Sequence, residues 1–153
     1  MRIEIRDTPF DPWQAVRDFQ SEMSGQAGKY GATATFVGTM RDFNQGHRVE
    51  QMTLEHYPGM TEKCLNEISK KASERWDIAD SLIIHRVGDL QPNEPIVLVA
   101  VWSAHRAAAF EACRYLIEEL KSHAPFWKRE QLSEHARWLA QHTPAATGKV
   151  RSS

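Results

Sequence analysis

Residues 100–130 read AVWSAHRAAAFEACRYLIEELKSHAPFWKRE. The stretch opens as an apolar strand and turns at Ser103 and Ala104. It continues as an amphipathic helix from about His105 to His123, with Phe110, Cys113, Leu116, Ile117 and Leu120 as its core stripe. The chain leaves through Ala124, Pro125, Phe126 and Trp127 into Lys128, Arg129 and Glu130. His105 and Arg106 stand where the helix starts, the end at which free N–H groups and the macrodipole favour an anion over a cation. Positive side chains there cost stability unless something negative binds them. Lys121 sits in the last turn, and Lys128 and Arg129 follow a proline break and two bulky aromatics. The pattern predicts a pocket for an anionic small molecule with lysine chemistry in it.

Upstream, residues 95–102 (PIVLVAVW) form a continuous apolar run, which predicts a strand buried on both faces. Residues 81–90 (SLIIHRVGDL) read as its hairpin partner across a turn at 91–94. The helix before that carries Met60, Cys64, Leu65, Ile68, Ala72 and Trp76 on one side, after a Pro58–Gly59 break. Residues 49–57 read as a strand with Val49, Gln51, Thr53, Glu55 and Tyr57 on one face and Met52, Leu54 and His56 on the other. A polar loop at 40–48 places Arg41 at the carboxyl end of a strand bracketed by Gly31 and Gly38. Near the start, Asp11 caps a helix with Pro12 at its first position and Trp13, Val16 and Phe19 at helical spacing. A short strand, residues 2–6, precedes it. The order β, α, β, β, α, β, β, α and a short extended piece predicts an α+β domain with a mainly antiparallel sheet and three main helices.

Composition sets the outer limits. A chain of 153 residues, 41% hydrophobic and 25% charged, has one core's worth of residues, so 1–153 is expected to be a single domain with a loose tail from about 143. The formal charge of −1 excludes the global basic field of a non-specific nucleic-acid binder, so any anion site is local. No apolar run reaches the roughly 18 residues of a membrane span, and MRIEIR alternates charge with isoleucine, so a cytoplasmic protein is expected. Cys64 and Cys113 each fall on the apolar face of a helix, which suits reduced thiols. The seven histidines have no zinc spacing, and neither a metal nor a resident cofactor is expected.

Each candidate has a plainer reading. Lys121 at a helix C-terminus is an ordinary complement to the dipole. Lys128 and Arg129 can form an exposed charged pair, and Arg106 can pair with Glu130 or Asp42. His56 and His85 lie in strands and read as satisfied structural histidines. Ser103 and His105 are too close in sequence for a nucleophile and base, which need facing side chains and an orienting acid.

Five motifs in register carry more than any one of them: GTMRDFN at 38–44, LEHYPGM at 54–60, HRVG at 85–88, SAHR at 103–106, and LK with PFWKRE across 120–130. Together, over about Tyr30 to Glu130, the chain resembles the large, catalytic subunit of molybdopterin synthase, the MoaE family. The resemblance implies an α/β hammerhead fold with an added antiparallel sheet. It also implies a sulfurtransferase of molybdenum cofactor biosynthesis, which converts cyclic pyranopterin monophosphate to molybdopterin by placing two sulfurs on adjacent carbons as a dithiolene. The sulfur would arrive as a thiocarboxylate on the C-terminal glycine of a small ubiquitin-like carrier of the MoaD type. Two catalytic subunits would form the central homodimer of a heterotetramer, with a carrier at each outer end.

Carried over by motif, the family's substrate contacts fall on Thr39, Met40 and Arg41, on His105 and Arg106, on Lys121, and on Lys128, Arg129 and Glu130. Its essential lysines fall on Lys121 and Lys128. The chemistry agrees: guanidinium groups at 41, 106 and 129 suit a phosphate and an electron-rich pterin through bidentate bonds. A lysine can move a proton or stabilise an oxyanion. The tail departs from the family pattern, and ArgTrpLeuAlaGlnHis at 137–142 leaves His142 without a role. Two other classes remain. A phosphate-binding hydrolase or transferase is disfavoured by the absence of a glycine-rich phosphate loop or acidic metal cluster. A scaffold that only docks a ubiquitin-like protein is disfavoured by the retention of both lysines.

Overall fold

The computed structural model describes residues 1–44 and 46–132. Its elements in order are β1 (Arg2–Arg6), α1 (Pro12–Glu22), β2 (Ala32–Thr39), β3 (Phe43–Asn44), β4 (His47–His56), α2 (Met60–Arg75), β5 (Ile78–Arg86), β6 (Gly88–Leu90), β7 (Pro95–Ser103), α3 (Arg106–His123) and β8 (Phe126–Leu132), with a 3₁₀ turn at Ser24–Gln26. The expected loose tail from 143 and His142 lie outside the described residues.

The first sheet has the order β1-β5-β7-β2. β1 runs parallel to β5, while β5–β7 and β7–β2 are antiparallel. Alternation along β5 and β7 separates two cores. Ile83, Val97, Val99 and Val101 meet α2 and α3 through Leu65, Ile68, Leu116 and Leu120. Leu82, Ile84, Leu98, Ala100 and Trp102 meet Phe19 of α1 on the other face. Burial on both faces, expected from the apolar run at 95–102, is what these clusters show. The α1 start is also as expected: the Asp11 carboxylate accepts from the N–H groups of Trp13 and Gln14, with Pro12 at the first position.

The second sheet is built around β4, which pairs with β3, β6 and β8, all antiparallel. Here the structure corrects three expectations. Residues 81–90 are two strands: the chain leaves the first sheet after Arg86, turns through Gly88 at φ 85, and pairs as β6 with β4 before returning in β7. β5 and β7 still pair as the expected antiparallel neighbours, with β6 as an excursion between them. The short extended piece expected after the last helix is β8, whereas the polar loop expected at 40–48 contains β3 and the start of β4. Finally, Val49, Met52 and Leu54 share the buried face of β4. The register slips by one residue at Glu50, where two residues of β4 oppose one of β8, and this bulge switches Val49 to the face of Met52.

Three apolar positions assigned to helix stripes face outward. Trp13, Met60 and Phe110 are 58%, 58% and 68% exposed, so the α3 stripe runs instead through Ala109, Ala112, Cys113, Leu116, Ile117 and Leu120. Both cysteines are free, Cys113 buried and Cys64 half-buried. No helix among the described residues is long and apolar enough to cross a membrane.

Candidate active site

Three chain ends meet between the two sheets: β2 leaving the first sheet at Thr39, α3 finishing at His123, and β8 starting at Phe126. A groove opens there with two lobes of about 360 and 450 Å³. Gly38, Thr39, Met52, Ile96, Lys121 and Lys128 line both. Gly38 has no room for a side chain, since a Cβ would lie 2.8 Å from Cγ1 of Val97. The missing Cβ leaves the β2 main chain bare beside the groove.

The inner lobe adds Leu54, Leu120, His85 and Phe126, and the outer lobe adds Met40, Arg41, Phe43 and Glu130. Lys121 follows directly on Leu120, which is anchored in the core at 2% exposure, so the neighbouring position is turned out over the groove. Lys128 and Glu130 share one face of β8, with Nζ 3.1 Å from a Glu130 carboxylate oxygen. The Arg41 guanidinium lies over the Phe43 ring, 5.4 Å from its centroid.

Met40 is a core residue of the second sheet, 4% exposed, and its main chain is clasped from both sides. Its N–H donates to the Glu94 carbonyl at 2.9 Å, and its carbonyl accepts from the Asn93 N–H at 2.9 Å. The Arg86 side chain, 2% exposed, donates to the Glu94 carboxylate at 3.3 Å and to the Asp89 carbonyl at 2.9 Å. The buried cation thus fixes the 91–94 turn, and the turn fixes the segment that carries Arg41.

Thr39, Met40, Arg41, Lys121, Lys128 and Glu130 therefore come together. Arg129 does not join them. Strand alternation puts it on the opposite face of β8, where its guanidinium donates to Glu55 at 2.6 Å, beside the Trp127 indole N–H on the same carboxylate at 2.6 Å. His105 and Arg106 are also apart. They line a separate recess with Gly31, Ala32, Ala104 and Ala107 at the start of α3. Fifteen residues of helix separate Arg106 from Lys121, roughly 22 Å at 1.5 Å per residue. His105 is the N-cap and makes no side-chain cap hydrogen bond, and among the described residues Arg106 has no ion-pair partner.

His85, read from sequence as structural, lies in the groove. Its ring is stacked on Phe126 with centroids 3.8 Å apart and planes within 11°. Its Nδ1 is 2.8 Å from the Arg86 carbonyl. Burial lowers its pKa to about 4, against the favourable bond to Arg86, with the Lys121 and His56 charges pushing the same way as burial. The signal for it was in the sequence, as the histidine of HRVG at a strand end, but only the fold shows that the strand ends at this groove.

The family model described as MoaE protein matches residues 5–123, a stretch that includes Lys121 and ends before β8. A molybdopterin synthase catalytic subunit of Pseudomonas aeruginosa is 47% identical over 139 residues, which are 91% of this chain and 90% of that protein. One from Ralstonia nicotianae is 58% identical over 109 residues, 71% of this chain, and the match spans 62% of that relative's own length. Among solved structures, a molybdopterin biosynthesis MoaE protein from Burkholderia ambifaria superposes with a TM-score of 0.71 at 40% identity, over 92% of this chain and 96% of that one. The fold, the extent of the match and the identities agree: the chain belongs to the MoaE family.

Proposed function

We propose that this chain carries out the sulfur transfer of its family, as the catalytic subunit of a molybdopterin synthase. The substrate is cyclic pyranopterin monophosphate, and the donor is the C-terminal thiocarboxylate of a ubiquitin-like carrier of the MoaD type. The observation that carries the reading is the placement of Lys121 and Lys128, from α3 and β8, at the junction of both lobes of one groove with Arg41 at its outer end. The outer lobe suits the pterin phosphate, for which Arg41 supplies a fork of donors and Thr39 a hydroxyl. The inner lobe suits an extended glycine tail, because Gly38 leaves main chain accessible and Leu54, Leu120 and Phe126 exclude water.

At the junction the carrier's sulfur attacks a pterin carbon and joins it as a thioester while the carbon–oxygen bond at that carbon breaks, and a second carrier repeats the exchange at the adjacent carbon. Water then cleaves the acyl carbon–sulfur bond, leaving a carboxylate on the carrier and the sulfur on the pterin. An ammonium beside the acyl carbon stabilises the oxyanion of that step, and a second lysine protonates the departing oxygen of the pterin. Glu130, bonded to Lys128, orients its ammonium.

His105 and Arg106 serve a groove too, but a second copy's. The helix separating them from Lys121 is longer than the substrate, whereas a homodimer can place the α3 start of one chain against the outer lobe of the other. The recess at a helix N-terminus with two basic side chains then adds anion contacts that a single chain lacks. We assign Arg129 to holding Glu55 and the outer face of β8. The protein acts as one domain, in the cytoplasm, in a heterotetramer with a carrier at each outer end. The test is direct: the purified chain, mixed with thiocarboxylated carrier and cyclic pyranopterin monophosphate, is expected to yield dithiolene. No product from fully thiocarboxylated carrier would overturn the reading.

A further inference from the structure

His85 is held on two sides. A carbonyl oxygen can only accept, so the 2.8 Å contact to the Arg86 carbonyl requires a proton on Nδ1. One face of the ring is covered by Phe126. What remains to line the groove is the other face of the ring and its Nε2 edge, and among the described residues Nε2 has no hydrogen-bond partner. The ring is neutral at working pH, so Nε2 carries a lone pair.

We infer that His85 is a positioning residue for Lys121: a neutral imidazole, clamped in one tautomer, that offers the Nε2 lone pair as the acceptor for one N–H of the lysine inside the groove. Titratable groups of the neighbouring elements face it: Lys121 from α3, Lys128 from β8 and His56 from β4, while the Arg86 side chain is taken up by the Glu94 carboxylate and the Asp89 carbonyl. The Lys121 and His56 charges both favour the neutral ring, and the lysine ammonium groups can only donate. Lysine has four freely turning side-chain bonds, and an acceptor on the groove floor removes most of that freedom before the carrier's tail arrives. The Phe126 stack also ties this acceptor to β8, so the position of Lys121 is set relative to the strand that carries Lys128. The inference rests on the catalytic reading of Lys121, and its tests separate from that reading because one of them needs no turnover.

The first test is the ¹⁵N spectrum of the histidines in the full chain. His85 is expected to show a protonated Nδ1 and an unprotonated Nε2, and the Nε2 resonance is expected to move in Lys121→Met while Nδ1 does not. The second is kinetic. His85→Phe keeps the stacked shape without the acceptor, and kcat is expected to fall about tenfold or more with KM within about threefold. His85→Gln, which returns an acceptor oxygen near the Nε2 position, is expected to recover most of kcat. An Nε2 resonance indifferent to Lys121→Met overturns the inference, and decides it alone if His85→Phe does not fold. So does a folded His85→Phe with wild-type kcat, or a His85→Gln variant as slow as His85→Phe, which would reduce His85 to packing.

Discussion

Lys128 and Glu130 form an ion pair along one face of β8, Nζ to carboxylate 3.1 Å, with Lys128 open to both lobes of the groove. An exposed pair of this kind contributes about 0–1 kcal/mol to stability, so the pairing is more telling about placement than about folding. Lys128→Ala is therefore expected to leave the melting temperature within a few degrees while dithiolene formation is lost. Lys128→Arg is expected to fail as well, because a planar, permanently charged group cannot exchange a proton. Wild-type turnover by Lys128→Arg would mean that charge alone is needed.

Arg41 lines the groove and Arg129 does not. Arg41→Ala is expected to weaken cyclic pterin binding by about 1.5–3 kcal/mol, the range for hydrogen bonds to a charged group. Arg129→Ala, on the opposite face with Glu55, is expected to leave that affinity unchanged. Calorimetric titration of both variants checks the pair. Equal losses would place the anion outside the groove.

Arg106 and Lys121 test the shared site. Each of Arg106→Ala and Lys121→Ala is expected to impair dithiolene formation as a pure dimer. A mixture allowed to exchange subunits is expected to recover activity, because a mixed dimer has one groove with both residues intact. Random pairing gives about a quarter of grooves intact. No recovery after proven exchange would put both residues to work within one chain.

His85 gives the fold an acid limb. Its unfolded value is the ordinary 6.5 and its folded value about 4, because burial opposes the charged ring. The unfolded chain therefore binds the extra proton first as pH falls. Stability from the neutral ring is complete above 6.5, declines as pH drops below it, and is gone once pH falls through about 4. The full amount is on the order of 3 kcal/mol. Urea unfolding at neutral and acid pH is expected to show a flatter pH dependence for His85→Gln than for the unaltered chain. Identical slopes would remove His85 from the acid transition.

Local signals had the farthest reach where one residue type settles a backbone conformation. Asp11–Pro12 marked the α1 start, and the apolar run at 95–102 marked a strand covered on both sides. The second sheet was harder to see because its features depend on partners distant in sequence. The bulge at Glu50 exists only against β8, so no alternation within 49–57 could reveal which face Val49 takes. β6 is three residues long, too short for a period of two, and hid at the end of residues 81–90, which read as one strand. Phe110 matched the helical spacing yet faces out, because α3 fills its contact with Ala109 and Ala112 instead. The candidate residues were found by motif, but their division into a groove, an opposite face and a distant helix start depends on pleat direction and helix length.

The central claim is that Lys121 performs chemistry in the groove and does not merely support the fold or hold the substrate. The most direct measurement is single-turnover dithiolene formation by Lys121→Ala, with thiocarboxylated carrier in excess, beside a titration of the same variant with cyclic pyranopterin monophosphate. A helix-end lysine contributes only about 0.3–1 kcal/mol to stability, so the variant is expected to fold. The account predicts pterin affinity within about tenfold of the unaltered chain and no dithiolene. Dithiolene formed at close to the unaltered rate would contradict it.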